Sequence, residues 1–118
     1  PVMIPEVITF AKSKNTVLFP GAFTPTEIFT AQELGAFAVK VFPAKTLGPD
    51  YIKQLKAPMN HLKLVPTGGV DASNIKMYLN AGAYGVGIGS ALLNSSLLNG
   101  SQEVLLTHFK TIAACFEK

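Results

Sequence analysis

A chain of 118 residues with 48% apolar and 14% charged side chains can bury one core and is too apolar to remain disordered. No apolar stretch reaches the roughly eighteen residues of a membrane span and no basic, apolar leader opens the sequence, so a cytoplasmic protein with no membrane partner is expected. The net charge of +3 and pI of about 9.1 come from ten lysines scattered from Lys12 to Lys118; arginine, with its bidentate fork, is absent, and nucleic acid is not an expected partner.

In chain order, Pro5 opens a helix whose apolar stripe is Val7, Ile8 and Ala11. Thr16–Phe19 reads as a first strand, stopped by Pro20-Gly21. Thr24-Pro25-Thr26-Glu27 is a capping box that starts a second helix, and Gly35 ends it. Ala38–Phe42 is a second strand closed by Pro43, and Lys63–Val65 a third, followed by Pro66 and Gly68-Gly69. Asp71 is placed to cap a helix running through Met77 and Leu79, closed by Gly82. Tyr84–Ile88 is a fourth strand with Gly87 and Gly89 at its end. The last helix carries Leu105, Phe109, Ile112 and Phe116 at the spacing of one buried face.

Strand starts about 21 to 25 residues apart leave room for one strand, one helix and two short loops. The fold class is therefore α/β, a parallel sheet with helices packed outside it, in one unit over residues 1–118. Four such units do not close a (β/α)₈ barrel, which needs at least about 200 residues. Half of a barrel, a pairing of two copies and a small open sheet all remain open, and four strands alone would leave two bare edges.

Ligands of such sheets bind where the strands end, which selects Pro20–Thr24, Lys40–Ala44, Pro66–Val70 and Gly87–Ser90. Lys40 interrupts a strand that is otherwise wholly apolar. Alternation puts Ala38, Lys40 and Phe42 on one face and Val39 and Val41 on the other. A lysine facing a barrel interior loses hydration, which disfavours its charged form, and a neutral amine can attack a ketone to form an imine. The same pattern also fits a lysine that reaches solvent or pairs with an acid. Pro66-Thr67-Gly68-Gly69-Val70 and Gly87-Ile88-Gly89-Ser90 are two glycine-rich turns after the last two strands. Such turns let backbone N–H groups approach an anion, with help from the following helix, or they serve only as tight turns. His61, His108 and Cys115 fit structural or solvated roles, and Glu27 a helix cap. No His, Cys, Asp or Glu spacing suggests a metal, and no cofactor is expected.

These motifs, together with Phe19-Pro20-Gly21, Val39-Lys40-Val41-Phe42-Pro43-Ala44 and Gly85-Val86-Gly87-Ile88-Gly89-Ser90, follow one another in an order that resembles the bacterial 2-keto-3-deoxy-6-phosphogluconate (KDPG) and 2-keto-4-hydroxyglutarate aldolases over nearly the whole chain. The resemblance implies strands five to eight of a TIM barrel, a trimeric assembly, and a phosphorylated 2-keto acid as the small-molecule partner. It implies a lyase of the Entner–Doudoroff type that cleaves KDPG to pyruvate and glyceraldehyde 3-phosphate through a Schiff base on Lys40. Thr67, Gly68, Gly69, Gly89 and Ser90 would cradle the phosphate, and Pro20, Phe42 and Pro43 would form the pocket wall. The family's general-base glutamate and carboxylate-binding arginine lie in the first half of the barrel and have no match here. With arginine absent and Pro1 in first place, a missing N-terminal half is expected, and this chain by itself should be nearly inactive. The competing expectations are a phosphate-binding β/α module that never forms an imine, as in barrel epimerases or synthases, and a non-catalytic half-barrel.

Overall fold

The computed structural model describes residues 1–117. The elements run α1 (Pro5–Ser13), β1 (Gly21–Ala22), α2 (Pro25–Glu33), β2 (Val39–Val41), α3 (Ala44–Lys56), β3 (Leu64–Pro66), α4 (Ile75–Asn80), α5 (Ser95–Leu98) and α6 (Gln102–Ala114). The three strands form one parallel sheet in the order β1-β2-β3, with Lys40 level with Gly21 on one side and Val65 on the other. The α/β class and the parallel sheet stand as the spacing predicts.

The core lies between the sheet and the helices. Val39, Val41 and Leu64 are fully buried, and Ile8, Ile28, Ile52, Ile75 and Ile112 reach them from five different helices. Alternation along β2 follows from strand geometry: the two valines face the helices, so Lys40 faces the opposite side and is half-buried. The capping box of α2 forms in full. The Glu27 carboxylate accepts from the N–H groups of Phe23 (2.9 Å) and Thr24 (2.7 Å), and the Thr24 hydroxyl oxygen accepts from the Glu27 N–H at 3.3 Å. Gly35 and Gly82 end their helices in the left-handed region, at φ of 106° and 95°.

Four expectations are corrected. Thr16–Phe19 is not a strand, and pairing starts only at Gly21. Beside β2 this stretch accepts one bond, from the Phe37 N–H to the Leu18 carbonyl, and Pro20 has no N–H to extend a ladder. Tyr84–Ile88 is reduced to a single bridge between Thr67 and Gly87, with further bonds from Tyr84 N–H to Leu64 C=O and from Gly87 N–H to Pro66 C=O. It pairs on one side only among the described residues, and its glycines resist extended order. Asp71 does not cap α4 directly; its carboxylate holds Ser73, and the helix begins at Ile75. The stripes of α1 and α6 are narrower than read. Val7 is 48% exposed, Phe116 is 49% exposed, and only Ile112 of the last helix is buried. Among the described residues no helix is long and apolar enough to cross a membrane.

Candidate active site

The strand ends converge on one cleft of about 440 Å³, lined by Phe42, Thr67–Asp71 and Gly89–Ala91. Both glycine turns contribute, and they are held together. Gly87 lies against the side chain of Thr67, where an added Cβ would sit 2.3 Å from Oγ1. Only glycine permits that approach. Gly68 and Gly69 adopt φ of 92° and 76°, a region that L side chains avoid, and a Cβ on Gly68 would fall 2.9 Å from the Phe42 ring.

The turn after β3 is fixed through its carbonyls. The N–H of Ala44 donates to Thr67 C=O at 2.8 Å and that of Lys45 to Gly68 C=O at 2.9 Å. These bonds also satisfy two of the orphan donors at the start of α3. The N–H groups of Gly69, Val70, Gly89, Ser90 and Ala91 have no acceptor among the described residues, while that of Gly68 faces the Gly87 carbonyl across the bridge. Five free donors around one cleft suit an oxyanion. Here the expected helix termini give way to turn amides, because α4 starts at Ile75 and the next helix after Ser90 is the four-residue α5.

Lys40 does not line this cleft; it sits beside it. Its Nζ lies 5.0 Å from the centre of the Phe42 ring, two residues along the same face of β2, and that ring in turn packs on Gly68 at the cleft wall. One aromatic ring thus separates the amine from the donor-lined turns. Pro43, joined to Phe42 by a cis peptide, backs the same wall, with its Cα 3.6 Å from the position of a Gly68 Cβ. Pro20 lies elsewhere. Its carbonyl accepts the Lys40 N–H at 2.9 Å, and it borders a separate cleft with Pro1, Val2 and Ile4. It pairs alongside the lysine's strand and is not brought to the cleft.

Sequence reasoning passed over Asp71 as a cleft residue. Hydrogen bonds from the Ser73 hydroxyl and N–H, with Lys45 nearby, hold its carboxyl below the usual value of 3.8. The signal available was its position two residues after the glycine pair. Of the other candidates, Glu27 is engaged in its cap, which lowers its carboxyl below 4.5. His61 is exposed, and His108 Nε2 lies 2.9 Å from the Ala91 carbonyl, close behind the second turn. Cys115 is half-buried with its thiol toward the Ala72 carbonyl. Among the described residues no group of three His, Cys, Asp or Glu could hold a metal.

Comparison with known proteins places this geometry in context. The chain is 43% identical over 88 residues to the 2-dehydro-3-deoxy-6-phosphogalactonate aldolase of Escherichia coli K12, covering 74% of this chain and 43% of that protein. It is 38% identical over 101 residues to a probable enzyme of the same name from Rhizobium meliloti, covering 85% and 48%. A solved structure described as "Native KDPGal structure" superposes with a TM-score of 0.87 at 35% identity, covering 98% of this chain and 55% of that one. The chain spans about half the length of the curated relatives it matches. The family model "KDPG and KHG aldolase" matches residues 1–107, so this chain belongs to the KDPG and KHG aldolase family.

Proposed function

We propose that residues 1–118 form one unit, strands five to eight of a barrel, and carry the imine-forming and phosphate-binding parts of a class I aldolase. The substrate is a 2-keto-3-deoxy-6-phospho sugar acid, KDPG or its galactonate epimer, with 4-hydroxy-2-oxoglutarate as an unphosphorylated alternative. The observation that carries this reading is the Phe42 ring, with the Lys40 amine 5.0 Å from its centre and Gly68 of the donor-lined cleft packed on it.

The chemistry follows from that arrangement. The Lys40 Nζ adds to the C2 ketone, and the carbinolamine loses water to give an iminium ion. When the C3–C4 bond breaks, its electron pair flows into the iminium and leaves an enamine. The C4 hydroxyl gives up its proton and becomes the aldehyde of glyceraldehyde 3-phosphate. Protonation of the enamine at C3 and hydrolysis of the imine then release pyruvate and restore the amine. The free N–H groups of Gly69, Gly89 and Ser90, with Thr67 and Gly68 beside them, hold the phosphate, while Phe42, backed by Pro43, walls the reacting carbons. Proton transfer at C4 and capture of the substrate carboxylate fall to a glutamate and an arginine in the other half of the barrel. This chain by itself then forms the imine but turns over poorly, since a positioned base is worth about a hundredfold to ten-thousandfold in rate. The complete barrel assembles as a trimer in the cytoplasm.

Borohydride reduction in the presence of pyruvate, followed by peptide mass spectrometry, tests the imine. A reduced pyruvyl adduct is expected on Lys40 and on no other lysine, and Lys40→Ala should lack it. Absence of the adduct, or turnover that survives Lys40→Ala in the complete barrel, would reassign the chain to phosphate-binding barrels that work without an imine.

A further inference from the structure

We infer that Asn74 is a positioning residue for oxyanion binding, its carboxamide setting the Gly69–Asp71 turn so that the Val70 N–H stands free beside that of Gly69. The inference rests on the phosphate reading of the cleft and deepens it.

What Asn74 omits is as informative as what it does. It occupies the N-cap of α4, where an asparagine side chain ordinarily accepts from a helix amide, and no such bond is present. The half-buried side chain turns back to the loop instead. Its Nδ2 donates to the Gly69 carbonyl at 3.0 Å, and its Oδ1 accepts the Asp71 N–H at 3.0 Å. A forgone cap weakens a helix, and a six-residue helix has little stability to lose. The side chain is committed to the turn at the expense of its own helix.

Peptide geometry gives that commitment its consequence. A trans peptide points its carbonyl and its N–H in opposite directions. Ala44 and Lys45 anchor the carbonyls of Thr67 and Gly68, and Asn74 anchors that of Gly69. Three consecutive carbonyls are held, so the N–H groups of Gly68, Gly69 and Val70 turn away from their anchors; that of Gly68 faces the Gly87 carbonyl across the bridge, and those of Gly69 and Val70 have no acceptor among the described residues. The next donor, the Asp71 N–H, is consumed by Oδ1. Asn74 therefore supplies the third anchor and also ends the row. Two of the three anchors are backbone N–H groups, removable only by proline, which leaves Asn74 as the one that a side-chain change can test.

The test titrates the 118-residue chain and its Asn74→Ala and Asn74→Asp variants with inorganic phosphate, following backbone amides by NMR. Pyruvate–borohydride labelling of Lys40 is run in parallel. Wild type should show saturable shifts at Gly68, Gly69 and Val70. Asn74→Ala should bind phosphate about tenfold more weakly, the value of one hydrogen bond to a turn. Asn74→Asp keeps an acceptor for Asp71 but sets a carboxylate against the Gly69 carbonyl, and should weaken binding as well. Labelling of Lys40 should stay within about twofold of wild type in both, a split that general loosening of the fold would not produce. Wild-type phosphate affinity in either variant, or equal losses of phosphate binding and labelling, would overturn the inference. If Asn74→Ala fails to fold, Asn74→Asp decides. Absence of phosphate shifts in the wild type would refute the cleft itself and the inference with it; shifts that survive substitution would refute only the role of Asn74.

Discussion

The first three strand–helix units and the fourth carry similar signals in the sequence and end in different states of order. Around β2 the chain is paired on both sides, its valines are fully buried, and the lysine between them has its direction fixed by alternation. The fourth unit has an apolar run, turn glycines and an amphipathic helix as well. It keeps one bridge, to Thr67 just past β3, and its last helix buries only Ile112. The difference is one of neighbours. A strand is made by the ladder on each flank and a helix face by what it covers, so the same local pattern yields order in the middle of the sheet and little at its edge.

Core truncations on the two sides of this divide should separate them most. Ile52, 1% exposed in α3, packs into the centre of the core, and Ile52→Ala is expected to cost about 2–5 kcal/mol. Leu105→Ala, in the half-buried face of α6, should cost about 1 kcal/mol or less. Denaturant unfolding measures both, and equal losses would show the fourth unit to be as much a part of the core as the rest.

A smaller effect is expected at Tyr78, which ties α4 to the start of α3. Its buried hydroxyl donates to the Ala44 carbonyl at 2.9 Å, and Tyr78→Phe removes that bond, a loss of about 0.5–1.5 kcal/mol in thermal unfolding. Burial also raises the Tyr78 phenol above its ordinary value of 10.0. The group favours its protonated form in the folded state, so its contribution is fully present below pH 10.0 and is lost as pH rises through the higher folded value. Tyr78→Phe should remove that part of the alkaline loss, leaving the part due to Tyr51, whose phenol burial also raises.

The smallest effect belongs to the cap of α2. The N–H groups of Thr24 and Phe23 hold the Glu27 carboxyl below 4.5. A lowered folded value means stability that is present above pH 4.5 and lost as pH falls through that lower value. Wild type should therefore exceed Glu27→Gln by less than about 1 kcal/mol at neutral pH, and the gap should close in acid unfolding. A gap that persists at pH 2 would mean that the charge contributes nothing to the cap.

Much of the site was legible because its signals are local. The conflict between Lys40 and its apolar strand, the glycine pair at 68 and 69, and the Thr24 cap each follow from a few adjacent residues. What stayed hidden depends on distant partners. Asn74 draws no attention in the sequence, where Asp71 is the expected cap, and its role shows only once its side chain is seen bonded to Gly69, five positions back. Pro20 sits at an expected strand end like the others, yet it is tied alongside β2, where its carbonyl pairs with Lys40. Asp71 looks like a helix cap and instead lines the cleft.

By itself the sequence determined the α/β class, the direction of Lys40 and the need for glycine at the turns, since side-chain alternation and backbone sterics act within a few residues. The tertiary structure alone decided which predicted strands pair, which turn amides are left free, and which face of the last helix is covered. Those outcomes depend on segments far apart in the chain meeting in space, and no local pattern carries that information.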